Sequence, residues 1–289
     1  MANNHFEGPA NFCAHGNLWF IDLSENNLRG SISSCFSPER LNYAHFQKNQ
    51  LKGPMTEAFS KSTNLVTLDI SDNFINGSLP RWIVNLSSLR VLLLKGNHLE
   101  GNIPILLCHL NQISILDLSH NNLSGPIPSC LSNITFERLK DPNGANGHKF
   151  DVEIYRGTVT SFSSEYVYKS RLVEFQFLQY YDAFKKVEEQ VGFTTKRSDF
   201  CKGINLELML GLDLSSNQLT DHIPPELGKL QEIHTLNLSH NHLSGSIPTT
   251  ISNLTQLESL DLSYNNLIGT IPPQITELRT LFGNFHGGT

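Results

Sequence analysis

The sequence predicts a solenoid of stacked coils, each turning through roughly two dozen residues and laying one short strand beside the next. Three observations carry that prediction. A phrase of the form LxxLxLSxNxLxGxIP, complete in LESLDLSYNNLIGTIP from Leu257 to Pro272, recurs along the chain. Its asparagine falls at Asn26, Asn49, Asn73, Asn97, Asn121, Asn217, Asn241 and Asn265, most neighbours being 24 residues apart. The leucines keep fixed offsets from that asparagine, so each unit has an apolar face that only stacking on its neighbours can bury.

This is the arithmetic of a leucine-rich repeat solenoid with a concave parallel β-sheet. Within the unit, Leu257, Leu260, Leu262 and Leu267 are expected to turn inward, while the LxL stretch forms a strand whose alternate side chains face out. Asn265 should also point inward, its amide pairing with backbone groups of adjacent coils, because a buried polar group without a partner is costly. The LIGTIP half resembles the plant-specific class of these repeats, in which LxGxIP forms a second short strand.

From the N-terminus, Asn4 to Gly8 already matches the NxLxG part of the unit, so residues 1–134 read as a partial repeat followed by five whole ones. Cys13 lies nine residues after Asn4 and Cys35 nine after Asn26, equivalent positions on adjacent coils. Adjacent parallel strands lie ~4.8 Å apart, within the window for a disulfide. Cys108 and Cys130 are also 22 apart, which makes a second candidate bridge. Each would stabilise by ~3 kcal/mol in the entropic model, and neither would form in a reducing cytosol. Cys201 is left over.

After Asn121 the pattern stops, and Asn217 resumes it 96 residues later, four periods on. Decayed repeats do not fill the gap: ladder positions would fall at Ala145, Lys169 and Phe193, and the leucines three before them at Pro142, Tyr166 and Gln190. One period belongs to ordinary repeat, leaving 72 inserted residues, 135–206, and then repeats again over 207–289. The insertion holds 13 of the 24 Phe and Tyr residues in a quarter of the length, enough apolar material to pack on something. ERLKDPNGANGHK carries turn signals. Phe150, Val152 and Ile154 alternate as in a strand, as do Val173, Phe175 and Phe177, whereas Tyr180, Phe184, Val187 and Val191 follow helical spacing. Helix and strand both stay open for Gln179 to Gly192, and the insertion reads as mixed α/β.

The stretch VGFTTKRSDFCKGINLELMLGLDLSSNQL closes the insertion. Its T-K-R run at Thr195 to Arg197, Lys202 to Gly203, and Gly211 to Asn217, set in a plant-type array, resembles the plant leucine-rich-repeat receptor-like proteins and their island domain. The resemblance covers essentially the whole chain to about Leu281. It implies a non-catalytic cell-surface module in defence or development. Such a module would bind an extracellular protein, peptide or glycan through its concave face and island, and signal through co-receptor and adaptor receptor kinases. Two other readings stand beside it. A secreted inhibitor-like binder of a foreign enzyme, similar to the polygalacturonase-inhibiting proteins, would lack the island. A truncated remnant would explain why FGNFHGGT abandons the template. The opening MANNHFEGPANF lacks the charged start and apolar stretch of a signal peptide, and no run approaches the ~18 to 20 apolar residues of a membrane span.

Other classes are disfavoured by the residues themselves. A net charge of −6 gives no footprint for nucleic acid. The DLSH and NLSH phrases bring Ser and His together only as alternating strand positions, without an orienting acid or oxyanion donors. His234, His240 and His242 fall on different faces and read as surface histidines. No phosphate loop or zinc spacing appears, and neither cofactor nor metal is expected.

Candidate binding residues are the departures from the repeated concave columns: Phe20, Tyr43, His45, Gln47, Val91, Leu93 and Lys95, joined by Tyr181, Lys196 and Arg197 of the insertion. Exposed aromatic and aliphatic side chains on such a surface are commonly contacts. Six N-x-S/T sequons, at Asn76, Asn85, Asn122, Asn133, Asn237 and Asn253, suit an extracellular chain. Asn85, Asn133 and Asn253 lie in convex segments, whereas Asn237 lies on the concave strand.

Overall fold

The computed structural model describes residues 1–10, 13, 18–134, 190–193, 201–202, 210–278 and 281. Among them, eight three-residue strands form one parallel concave sheet. In chain order they are Phe20–Asp22, Tyr43–His45, Thr67–Asp69, Val91–Leu93, Ile115–Asp117, Gly211–Asp213, Thr235–Asn237 and Ser259–Asp261. The central residue of each points inward, so Leu68, Leu92, Leu116, Leu212 and Leu236 stack in the core. Its two neighbours face the concave side, as the two-residue period of a strand requires.

The LxGxIP phrases form a second parallel sheet, running from Glu7–Pro9 through Asn27–Gly30, Gln50–Pro54, Phe74–Gly77, His98–Asn102 and Asn122–Pro126 to Gln218–Thr220. Its glycines hold positive φ, for example +80° at Gly101 and +74° at Gly125. Asp221 occupies the same place at +70° and compensates locally, its Oδ1 accepting from the backbone N–H of His222 at 2.9 Å. The proline that follows stands in extended conformation and leads into a short 3-10 turn on the convex side. Pro80, Pro104, Pro128, Pro224 and Pro248 all do this, and Pro272 precedes the last such turn. A residue with no N–H and a fixed φ suits that entry.

The asparagines hold coil to coil. Asn97 Oδ1 accepts from Ile75 N–H at 2.9 Å, while its Nδ2 donates to the carbonyls of Ile70 at 3.0 Å, Leu94 at 3.1 Å and Lys95 at 3.3 Å. Asn217 does the same across the insertion, accepting from Leu123 N–H at 2.9 Å and donating to Leu118 O at 3.0 Å. Ile115 accordingly pairs with Gly211 as if the two coils were consecutive.

Where the coil of Asn49 departs from leucine, volume is conserved. Ala44 replaces one leucine and Phe46 another, and Phe46 meets Phe36 and Phe59 edge-on at 6.2 and 5.9 Å. Cys13 is bridged to Cys35 and Cys108 to Cys130, with Cα separations of 5.0 and 5.7 Å.

Replacing Asn97 by alanine strands the Ile75 N–H inside the core, while the Ile70 carbonyl keeps the Asn73 amide as a donor at 3.1 Å. An orphaned buried donor costs ~1 to 3 kcal/mol, so the variant should lose about that much stability, read as a lower midpoint in urea unfolding.

Candidate functional site

The concave face is open at its ends and closed at its centre. Phe20 and Asp22 at one end, and Ser259 and Asp261 at the other, are half-buried, whereas both outward residues of the strands at Thr67, Val91, Ile115 and Gly211 are buried. Phe193, from the insertion, closes part of that centre. Its side chain is 1% exposed and packs with Val91, Leu93 and Ile115 in a cluster separate from the main core.

Gly211 makes room for this ring. In the other seven concave strands the matching position carries a side chain. A Cβ on Gly211 would lie 2.3 Å from Phe193 Cζ. The insertion and the resumed repeat are therefore shaped to each other. The pair Gln190–Val191 and Cys201–Lys202, antiparallel, flanks the ring in sequence.

This corrects the expectation for Val91 and Leu93. They depart from the polar columns because the chain's own Phe193 covers them, not because they stand free for a ligand. His45 is also buried, at 4% exposure, so its ring is no open contact. Burial lowers its pKa, partly opposed by Asp22 on the adjacent strand.

Phe20 and Tyr43 are brought together, and the structure adds Trp19. Trp19 meets Tyr43 edge-on at 5.6 Å and Phe20 at 6.1 Å, Phe20 lies 6.3 Å from Tyr43, and His45 lies 5.7 Å from Phe20. The three larger rings are half-buried and form a wall at the end of the concave sheet, beside Asp22. Trp19 escaped the column analysis because it precedes the strand; two successive aromatics at the variable positions of one unit were the available signal. Gln47 Oε1, two residues past the strand Tyr43–His45, and Thr67 Oγ1 on the next strand are shielded from water and have no hydrogen-bond partner among the described residues.

The aspartates of the concave column share one local device. Asp117 Oδ1 accepts from the N–H and hydroxyl of Ser119 at 3.0 and 2.6 Å, and Asp69 engages Ser71 in the same way. Burial, reinforced by Asp213 on the next strand, pushes the Asp117 carboxyl up to about 7. Burial likewise pushes Asp69 up to about 6 against the hydrogen bonds from Ser71. In the coil beyond Asp213, Asn237 replaces the acid, keeps the bonds to Ser239 and donates to Asp213 Oδ2 at 3.2 Å.

The remaining site residues divide as follows. Lys95 is half-buried and its charge counters that of Asp117. Tyr181, Lys196 and Arg197 lie outside the described residues, as do the other insertion residues assigned to strands or a helix; Val191 stands in a strand. His234 is buried rather than on the surface. On the second sheet, Asn76, His98, Glu100 and Asn122 line a shallow polar groove of about 520 Å³, and the exposed ring of Phe74 lies 5.8 Å from His98. No group of three His, Cys, Asp or Glu suited to a metal occurs among the described residues. Nor does any helix among them have the length and apolarity to cross a membrane.

Two family models, both described as leucine rich repeat, match residues 39–99 and 206–267, and 17–38 and 112–134, together more than half the chain. Cuscuta receptor 1 of Solanum lycopersicum is 44% identical over 210 residues, 70% of this chain and 18% of that protein. Receptor-like protein 14 of Arabidopsis thaliana is 41% identical over 185 residues, 64% of this chain and 18% of its own length. The chain thus spans under a fifth of these curated relatives. Among solved structures, the Arabidopsis receptor kinase HAESA in complex with the peptide hormone IDA and the co-receptor SERK1 superposes with a TM-score of 0.66 at 27% identity, over 96% of this chain and 35% of that one.

Two outcomes follow from the geometry. Gly211→Ala, which drives a methyl into the ring, and Phe193→Ala, which empties its seat, should both speed amide exchange at Gln190 to Phe193 while leaving the exchange of Leu116 and Leu236 unchanged. The second concerns pH. A carboxyl raised in the folded state adds stability that is full below its unfolded pKa and is lost as pH rises through the folded one. Asp117 should therefore make the protein less stable between about pH 4 and pH 7. His45, lowered on folding, acts oppositely, its contribution being lost as pH falls below about 6.5. Asp117→Asn, which copies Asn237, should flatten the downward slope in melting temperature between about pH 6 and pH 7, leaving in place the part that Asp69 contributes up to about pH 6 and the His45 contribution.

Proposed function

The chain belongs to the leucine-rich-repeat proteins of the plant receptor-like class, and from that membership we propose that it is a non-catalytic recognition module working on the extracellular side of the plasma membrane. The observation that carries the reading is the half-exposed wall of Trp19, Phe20 and Tyr43 at the open end of the concave sheet. Phe193 closes the neighbouring centre. Aromatic side chains give large contact area at low entropic cost, and binding surfaces concentrate their free energy in such groups. Beside the wall, the half-buried carboxylate of Asp22 provides polar selectivity.

The ligand we propose is an extracellular peptide or glycan, recognised along the concave face and the insertion. Support comes from the kinship with receptor-like proteins and from the likeness to an ectodomain whose solved complex holds a peptide hormone and a co-receptor. On the same support, signalling runs through partner receptor kinases, in defence or development.

The test uses the secreted, disulfide-bonded chain, screened by calorimetry against a set of synthetic peptides and plant or microbial oligosaccharides. A true ligand should bind ~10- to 100-fold more weakly to Phe20→Ala or Tyr43→Ala, as at hot spots elsewhere, and equally well to the convex variant Lys229→Ala. Affinity that ignores the two aromatic substitutions, or that collapses in Lys229→Ala, would refute the reading.

A further inference from the structure

The sequons are not absorbed by the recognition reading, and the fold sorts them. Asn85, Asn133 and Asn253 each occupy the last position of a convex 3-10 turn: Arg81–Asn85, Ser129–Asn133 and Thr249–Asn253. All three asparagines are exposed, and each is followed by a residue locked in the core: Leu86 and Leu254 at 0% exposure and Ile134 at 2%. The buried neighbour fixes the turn, so the asparagine side chain is held outward. No hydrogen bond engages any of the three side chains among the described residues.

The matching position in the coils between them carries His109 and Lys229, from the turns Ile105–His109 and Pro225–Lys229. The three asparagines therefore stand on alternate coils of one flank, roughly 10 Å apart at the strand spacing of a parallel sheet. Asn237 is the opposite case. Its Oδ1 is taken by Ser239 and its Nδ2 by Asp213, on the sheet that carries the aromatic wall.

We infer that Asn85, Asn133 and Asn253 carry N-linked glycans, that Asn237 does not, and that the resulting row of sugars screens the convex flank, so that protein partners approach by other faces. In the reaction the side-chain amide nitrogen forms a bond to the anomeric carbon of a polyprenyl-pyrophosphate-linked oligosaccharide. The bond from that carbon to the pyrophosphate oxygen breaks, the lipid pyrophosphate leaves, and the amide gives up one proton. No oxidant or reductant is needed. The inference rests on the extracellular reading above, since only a chain passing through the secretory route meets that donor.

The experiment is peptide mapping of the chain expressed behind a secretion leader in plant cells. Enzymatic deglycosylation in ¹⁸O-water marks each occupied asparagine, and the same digest reports whether Cys13–Cys35 and Cys108–Cys130 have formed. The expected result is label at Asn85, Asn133 and Asn253 and none at Asn237, with one gel-mobility step lost on each of Asn85→Gln, Asn133→Gln and Asn253→Gln. Label at Asn237, or a bare member of the row in molecules with both disulfides closed, overturns the assignment while leaving the recognition reading intact. Bare sequons throughout, together with unpaired cysteines, would instead count against the extracellular reading and remove the inference with it.

Discussion

The structure depends on one interaction, the buried asparagine amide that joins each coil to the one before. A solenoid has no long-range closure to hold it, so each interface must be specific by itself. Leucine stacking supplies most of the free energy and little of the register, because one leucine slides past another at small cost. The amide supplies the register. Its oxygen meets an N–H on the previous coil and its nitrogen meets carbonyls on both, as at Asn73, which accepts from Leu51 N–H at 3.0 Å and donates to Phe46 O at 3.0 Å. A one-residue slip would leave all of these groups buried and unpaired.

That constraint explains how the chain accommodates an insertion. Asn217 reproduces for the coil of Asn121 what Asn121 does for the coil of Asn97, although 96 residues intervene. The ladder is indifferent to how the chain travels between rungs. An insertion is tolerated so long as the next rung arrives in phase, and it is then free to fold over the sheet that the rungs support. Phe193 against Gly211 is the visible result: a large ring from the excursion fills the gap left where the returning strand gives up its side chain.

Much of this was legible in the sequence, for a physical reason. Core and ladder positions answer to a period, and a period survives in a single sequence. The cysteines at a spacing of 22 were legible likewise, since equal offsets from successive rungs place two side chains side by side. The concave face was only half legible. Val91 and Leu93 stood out as departures from a polar column, but a departure does not say what covers it: an external ligand and the chain's own insertion leave the same apolar signature. The resolving clue was Gly211, a missing side chain in the same row as Val91 and Ile115. It gains meaning only when a ring elsewhere is known to need the space. His45 misled similarly, because its neighbourhood, rather than its column, determines its burial.

Closure of the central strands also bears on affinity. A ligand that had to order the insertion as it bound would lose part of its contact free energy to that ordering. Here the ring of Phe193 is already 1% exposed, so its immobilisation is met on folding. Trp19 and Tyr43, edge-on at 5.6 Å, likewise hold each other's rotamers. What stays open is a rigid aromatic wall with a carboxylate at hand. A surface of that kind gains little from further rearrangement, and its selectivity must come from the few side chains that the repeat leaves free to vary.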